Sequence, residues 1–223
     1  EILNFGVPGG RAAINFMRSL RDMFSGESRS SVNITTKWDG APAIFAGVEP
    51  ETGDFFVAKK SVLNATPKLY KTEAEIDADL SGNLNSKFKV ALKEFSKLGI
   101  KGVLQGDLMF TDDVETTKID GTNYYTFQPN TIVYAVPTDS ELGKVINKAK
   151  VGIVWHTTYT GSALQDMKAS FGASISKLTK TSTVWMDDAT YKDASGTATF
   201  TSTENAEVTG HLSNAGKTFQ RIN

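Results

Sequence analysis

Apolar side chains recur at helical spacing in two segments of the chain. Residues 8–24, PGGRAAINFMRSLRDMF, repeat apolar side chains every three or four positions. Residues 87–98, KFKVALKEFSKL, do the same, and Gly99 follows them as a typical helix stop. A period near 3.6 is the pattern of an amphipathic helix, so both segments are predicted as helices. Two shorter helices are predicted at residues 139–149 and 162–170.

Short apolar runs bounded by turn residues predict strands in most of the remaining chain. Residues 111–127 are predicted as a hairpin with its turn at Asp120-Gly121, and residues 66–83 as irregular. The predicted strands are residues 32–37, 43–48, 55–58, 102–110, 130–137, 151–159, 182–186 and 197–201. Because strands and helices do not alternate regularly, we expect an α+β fold with mixed, mainly antiparallel sheets and flanking helices.

The length of 223 residues allows one large domain or two small ones. We expect residues 1–173 to form one domain core. Residues 174–223 are rich in Ser, Thr and Ala, and either continue that domain or form a small β-rich C-terminal extension.

Composition excludes several classes of protein. Cysteine is absent, which excludes disulfides and thiolate metal sites and indicates a reducing compartment such as the cytoplasm. Two distant histidines argue against a His-rich zinc site. A net charge of −1 excludes a global basic field for nucleic acid, although a local basic groove remains compatible with it. We expect no membrane partner, because no apolar run reaches spanning length and the N-terminus lacks a signal-peptide pattern.

The segment ITTKWDGAPAIFAG, residues 34–47, places a lysine between two predicted strands. A lysine amine attacks phosphorus only when deprotonated, so a nucleophilic Lys37 requires its pKa to fall from about 10.4. Partial burial or a neighbouring cation lowers a lysine pKa, and an adjacent antiparallel strand could bring Lys59 or Lys60 near Lys37. The alternative is a solvated lysine beside an ordinary turn at Asp39-Gly40.

Five segments decide between these interpretations, because they occur in the order of a known set of motifs. They are KWDG (37–40), FFVAKKSVLN (55–64), LQGDLMF (104–110), FQPNTIVYAV (127–136) and VGIVWHTTY (151–159). The first and third resemble motifs I (KxDG) and III of covalent nucleotidyltransferases: ATP-dependent DNA ligases, RNA ligases and mRNA capping enzymes. The second and fourth resemble segments of T-even-phage-type RNA ligases, and the fifth stands where motif IIIa is expected. The whole chain also resembles tailed-phage ligase-like proteins.

This resemblance implies a nucleotidyltransferase (ATP-grasp-like ligase) adenylation domain and an ATP-dependent ligase. Lys37 would take up AMP from ATP, Lys59 would contact phosphate and lower the pKa of Lys37, and Asp107 would bind the ribose hydroxyls or the Mg²⁺ or Mn²⁺ ion. AMP would then pass to a nucleic-acid 5′-phosphate end, RNA being favoured over DNA, in a monomer of the host cytoplasm. The remaining nucleotide-binding residues would be Thr36, Trp38, Asp39, Gly40, Arg29 and Lys60.

The chain departs from the family pattern at several points. Motif III carries Asp107 where Glu is usual, and neither a Glu-Gly pair (motif IV) nor a convincing Lys-x-Lys strand (motif V) is present. We expect those motifs beyond Asn223; divergence of the family or loss of activity are the alternatives. Arg11 competes with Arg29 as the phosphate-binding arginine.

Four further residues have two interpretations each. Trp38 either packs in the core or lines the adenine pocket. His156 is either structural or a catalytic acid or base, and it should face away from Trp155 on its strand. Asp112 and Asp113 form either a solvated turn or a metal pair.

Three functions therefore remain open from the sequence. The first is an ATP-dependent RNA ligase or its adenylyltransferase domain. The second is a DNA ligase or a GTP-using capping-type enzyme. The third is a catalytically inactive phage binding or structural module, to which the Ser- and Thr-rich tail lends some weight.

Overall fold

The computed structural model describes residues 2–27, 35–190 and 199–222. The chain divides into two compact units. One combines Glu1–Ile34 with Tyr191–Asn223, and the other is Thr35–Thr190. No helix in these described ranges is both long and apolar enough to cross a membrane.

The first unit is built on two helices, α1 (Gly6–Phe24) and α5 (Ser202–Phe219), with a short 3₁₀ helix at Ile2–Phe5. The ring of Phe24 packs edge-on against Phe200 at 5.2 Å between centroids. The amphipathic pattern of residues 8–24 is thereby confirmed as a helix.

The strand predicted at residues 197–201 is wrong where the structure describes it. Residues 197 and 198 lie outside the described residues, and Thr201 is the N-cap of α5. Its hydroxyl accepts a hydrogen bond from the Glu204 N–H, while the Glu204 carboxylate accepts one from the Thr201 N–H. This reciprocal capping box is a helix-start signal, which the β-branched composition of the segment obscured.

The second unit centres on a six-stranded sheet. Its strands run in the order β2-β1-β3-β7-β8, and β9 pairs with β7 beside β8. All pairings are antiparallel except β7 with β9, which is parallel. The strands are β1 (Ala43–Val48), β2 (Phe55–Ala58), β3 (Val103–Phe110), β7 (Val151–Thr160), β8 (Lys168–Phe171) and β9 (Val184–Asp188). The predicted α+β class with mainly antiparallel sheets is confirmed.

A second sheet has three antiparallel strands, β4 (Glu115–Ile119), β5 (Thr122–Phe127) and β6 (Tyr134–Pro137), followed by helix α4 (Glu141–Ile146). The hairpin turn predicted at Asp120-Gly121 is confirmed. Both residues have positive φ, 48° and 85°, as a two-residue hairpin turn requires.

Helices α2 (Glu73–Asp79) and α3 (Gly82–Phe95) complete the unit, with 3₁₀ turns at Lys60–Leu63, Ser96–Leu98, Leu164–Asp166 and Ile175–Lys177. Phe88 and Phe95 of α3 are fully buried and pack with Leu104, Leu108 and Trp155 on one face of the large sheet. The opposite face carries two other apolar clusters, so the sheet lies between packed layers.

Residues 66–83 and 162–170 differ from their predicted secondary structure. Residues 66–72 are irregular as predicted, apart from a bridge at Tyr70. The prediction is wrong from Glu73 onwards, because a capping box between Thr72 and Glu75 starts α2. Residues 162–170 do not form a helix. They make one 3₁₀ turn and then β8, whose backbone pairs with the end of β7.

Residues 174–190 also belong to this unit. The strand predicted at residues 182–186 is confirmed as β9. The boundary proposed at residue 173 thus falls between two strands of one sheet, β8 and β9.

Candidate functional site

The segment that carries Lys37 is held at both ends by the large sheet. The Thr36 N–H donates to the carbonyl of Ala189 at 2.7 Å, and the Ala41 N–H donates to the carbonyl of Leu108 at 2.9 Å. The strand predicted at 32–37 is wrong for Thr36 and Lys37, which have no strand pairing beyond a bridge at Thr35. Residues 32–34 lie outside the described residues. Lys37 therefore lies on a segment that runs between two attachment points on the sheet, at Thr36 and Ala41, and not on a strand of a hairpin.

Gly40 explains how this segment approaches the sheet so closely. A Cβ at residue 40 would lie 2.5 Å from the Asp107 Cβ and 2.9 Å from the carbonyl oxygen of Leu108. Both distances are too short for a side chain, so only glycine lets the backbone rest against β3. The consequence is that the motif containing Lys37 lies beside Asp107.

Asp39 fixes the same segment to the loop before β6. Its carboxylate accepts hydrogen bonds from the Asn130 side chain, from the Thr131 hydroxyl and N–H, and from the Ile132 N–H, at 2.6–2.8 Å. These donors, Thr131 first, hold the pKa of the Asp39 carboxyl well below its usual range. The Asp39 N–H also donates to the Tyr134 hydroxyl at 2.9 Å. Two of the segments singled out in the sequence, KWDG and FQPNTIVYAV, thus meet in space.

A cavity of about 220 Å³ opens beside this segment. It brings together four of the predicted site residues, Thr36, Lys37, Trp38 and Asp107. The rest of its lining is Thr35, Val154, His156, Phe171 and Ala189. The lysine and the acidic residue that the sequence places on separate motifs therefore share one cavity.

His156 is brought into the cavity by an irregularity in β7. Gln105 pairs with Thr157 while Gly106 pairs with Trp155, so His156 is an extra residue in the β3–β7 ladder. Its Nε2 lies 3.7 Å from Asp107 Oδ1, and its Nδ1 is 2.8 Å from the Thr157 hydroxyl. Trp155 is fully buried on the opposite face, as the alternation predicted.

Trp38 is chiefly a packing residue. Its ring stacks on Tyr134 at 5.6 Å and meets Trp185 edge-on at 6.4 Å. The indole N–H is buried and has no hydrogen-bond partner within the described ranges. Trp38 also contributes to the cavity wall. The packing interpretation is confirmed, and its place in an adenine pocket stays a prediction.

Lys59 and Lys60 are not among the described residues that line the cavity. The Lys59 ammonium lies 3.2 Å from the Asp79 carboxylate of α2, which also accepts hydrogen bonds from Lys68 and from the Tyr70 hydroxyl. Lys60 is exposed at the start of a 3₁₀ turn. The structure brings Lys37 and Asp107 together and gives Lys59 a different partner.

The remaining candidates lie elsewhere. Arg29 falls outside the described residues, and Arg11 is exposed on α1 of the other unit. Asp113 accepts hydrogen bonds from the Thr111 N–H and the Lys87 ammonium, so it closes a turn instead of presenting a metal ligand.

A divalent cation in this cavity would have only part of its ligands from the described residues. In the described part of the chain no group of three or more His, Asp or Glu side chains is arranged to hold a metal. Asp107 offers one carboxylate with His156 beside it. Mg²⁺ at nucleotide sites is commonly bound by one or two carboxylates, with phosphate oxygens and water completing the coordination.

Of the five cavity residues that were not identified as nucleotide-binding from the sequence, two carry aromatic rings, Phe171 and His156. Phe171, 94% exposed at the end of β8, had no motif around it, and the strand that carries it was predicted as a helix. His156 is a lone histidine in its segment, and its approach to Asp107 depends on a bulge that leaves no sequence signal.

Neither a search of curated proteins nor a search of solved structures finds a match to the chain. A family model described as "Family of unknown function (DUF6267)" matches residues 1–223. The chain belongs to this DUF6267 family.

Proposed function

We propose that the protein is an ATP-dependent polynucleotide ligase, acting on RNA ends in preference to DNA ends, that forms a lysine–AMP intermediate on Lys37. The observation that carries this proposal is the shared cavity of Lys37 and Asp107. The packing of Gly40 on Asp107 and the anchoring of Asp39 support it, because they give the lysine segment a defined position. An unconstrained surface lysine would need neither feature.

The chemistry is a displacement at the α-phosphorus of ATP. The deprotonated Nζ of Lys37 attacks, an N–P bond forms, and the bond from the α-phosphorus to the bridging oxygen breaks. Pyrophosphate leaves with the electron pair of that bond, and the ammonium proton passes to solvent. The AMP is then transferred to a 5′-phosphate end, from which a 3′-hydroxyl displaces it to form the phosphodiester.

Asp107 is the residue that would hold Mg²⁺ or Mn²⁺ together with the phosphates. A bound cation would neutralise charge that develops on the phosphate oxygens. His156 lies on the same side of the cavity as Asp107, where its ring can donate to a phosphate oxygen or restrain the carboxylate.

The size of the cavity limits how a nucleotide can bind. At about 220 Å³ it is smaller than most small-molecule sites, which measure roughly 300–1,000 Å³. It therefore admits part of a nucleotide, and the remainder must lie at the rim. Phe171 is the exposed aromatic side chain there, whereas Tyr134 and Trp185 already cover the ring of Trp38. We assign the base to the face of Phe171.

The first experiment is intact mass measurement after incubation with Mg²⁺ and either ATP or GTP. We expect an AMP-sized increase with ATP in the wild-type protein and none in Lys37→Ala. Lys60→Ala is the matched control, since it removes an exposed lysine outside the described cavity lining, and it should still gain AMP. A gain of GMP alone would point to capping-type chemistry. Absence of any adduct would contradict covalent nucleotidyl transfer and leave a binding module.

The acceptor is tested separately. Adenylylated protein is mixed with 5′-phosphorylated RNA or DNA strands, and joined products are separated by length. We expect RNA to be joined faster than DNA. Faster joining of nicked DNA would replace the RNA assignment while leaving the Lys37 chemistry intact.

A further inference from the structure

A second cavity lies on the other face of the large sheet from Lys37. Leu104 and Thr158, which pair across β3 and β7, are part of its lining, and Leu104 packs with the α3 core cluster. Asp107 pairs with Val154, whose side chain belongs to a cluster on the opposite face. The two cavities are therefore separated by the sheet, and a ligand in one does not contact the other.

The segment after β8 forms one wall of this second cavity. The Thr158 hydroxyl donates to the carbonyl of Gly172 at 2.8 Å, and the Thr179 N–H donates to the carbonyl of Leu98 at 2.8 Å. Both ends of the segment are thus attached to the sheet or to the turn after α3. The cavity measures about 620 Å³, well within the range of small-molecule sites.

The charged side chains that line this cavity are all positive. Lys101 and Lys177 both line the cavity, and the described residues around it contribute no carboxylate. Neither ammonium forms an ion pair within the described ranges, whereas Lys59, Lys68, Lys71, Lys87, Lys89 and Lys97 each do. Two unpaired cations at one concavity favour an anion, and more strongly a doubly charged one.

The floor of the cavity is apolar. Ile100 and Leu104 are almost fully buried, and Leu178 is half-buried beside them. Inorganic phosphate alone would leave this surface uncovered. A ligand with an apolar or aromatic body and a terminal anionic group would satisfy both the floor and the lysines.

We propose that this cavity binds a phosphate monoester with an apolar body, its phosphate between Lys101 and Lys177 and its body against Ile100, Leu104 and Leu178. A monoester carries close to two negative charges at pH 7, which matches two ammonium groups. The phosphate can belong to a free phosphorylated small molecule or to the 5′ end of a strand. The proposal does not depend on adenylylation of Lys37.

The test is isothermal titration with phenyl phosphate, which has the required body and charge. We expect saturable binding that is at least tenfold tighter than that of inorganic phosphate. The double variant Lys101→Met/Lys177→Met should bind phenyl phosphate at least tenfold more weakly than wild type. Lys118→Met/Lys148→Met, which removes the same charge at two exposed lysines outside the lining, should bind as wild type does.

Lys37→Met separates this site from the catalytic one, because it should leave the affinity for phenyl phosphate unchanged. Competition by a short 5′-phosphorylated oligonucleotide would assign the phosphate to a strand end, and its failure to compete would assign a free phosphomonoester. Absence of saturable binding would overturn the proposal. So would equal weakening by the Lys101/Lys177 and Lys118/Lys148 variants, or a loss of affinity in Lys37→Met.

Discussion

Thr131 donates two hydrogen bonds to Asp39, one from its backbone N–H at 2.7 Å and one from its hydroxyl at 2.6 Å. The two residues are far apart in sequence, yet this pair joins the lysine segment to the loop before β6. Charge-assisted bonds of this kind favour the ionised carboxylate. The anchoring of Lys37 is therefore coupled to the ionisation of Asp39.

We predict that Asp39→Asn lowers the melting temperature at pH 7, because an amide cannot accept all four hydrogen bonds. The Asp39 pKa is depressed in the folded protein, so its stabilisation is present above the unfolded pKa of about 3.9. It is lost as pH falls through the lower folded pKa. Thermal melts from pH 7 to pH 2.5 should show the wild-type advantage shrink below about pH 4.

Asp139→Asn is the matched control for this prediction. The Asp139 carboxylate is exposed and forms no hydrogen bond or ion pair with any other described residue. Its substitution should change the melting temperature little at any pH. An Asp39→Asn difference that stays constant from pH 7 to pH 2.5 would contradict the coupling.

The second prediction concerns the close packing of Gly40 on β3. Gly40→Ala would place a methyl group 2.5 Å from the Asp107 Cβ, so the lysine segment must move away from β3. We expect a loss of about 1–3 kcal/mol in the free energy of unfolding and slower AMP uptake by Lys37. Urea denaturation and the mass assay measure the two effects.

The same substitution at Gly210 is the control. No heavy atom of the described residues lies within 4 Å of the position that a Cβ would take at this point of α5. Alanine also has a higher helix propensity than glycine. Gly210→Ala should therefore raise the free energy of unfolding by roughly 0.5–1 kcal/mol and leave AMP uptake unchanged. Similar effects from both substitutions would show that Gly40 has no special packing role.

Local pattern predicted most of the individual elements. The apolar runs at 43–48 and 55–58 are strands with those bounds, and the Asp120-Gly121 turn lies where the hairpin signal indicated. Two of the errors fall where a capping box starts a helix, at Thr72 and at Thr201. Both signals were present in the sequence and were outweighed by polar or β-branched composition.

The candidate site was less accessible from the sequence, because it depends on contacts between distant segments. Only a resemblance connected Lys37 with Asp107, and periodicity gave no reason to connect Asp39 with Thr131. The approach of His156 to the cavity follows from one extra residue in β7 opposite β3. Side-chain alternation alone does not specify such a bulge.

Lys59 provides a third prediction, in which the structure and the motif resemblance differ. Its ammonium is directed to Asp79, so Lys59→Ala should leave the rate of AMP uptake within about threefold of wild type. Asp79→Ala should lower the melting temperature more than Lys59→Ala does. The Asp79→Ala substitution removes the hydrogen-bond acceptor of the buried Tyr70 hydroxyl. Burial and the Asp79 carboxylate both raise the pKa of that hydroxyl. Abolition of AMP uptake in Lys59→Ala, with the fold intact by circular dichroism, would restore the catalytic role implied by the resemblance.

Phe171 provides the fourth prediction, which tests where the base lies. Its ring is 94% exposed at the rim of the Lys37 cavity, so Phe171→Ala should leave the melting temperature nearly unchanged. Loss of a stacking surface is worth about 1–3 kcal/mol, which corresponds to roughly 5- to 150-fold weaker ATP binding. The measurement is the ATP concentration that gives half-maximal AMP uptake, with Phe16→Ala as control because Phe16 is an exposed phenylalanine of α1. If Phe171→Ala and Phe16→Ala leave this concentration alike, the base does not stack on Phe171, and Trp38 becomes the aromatic residue to test.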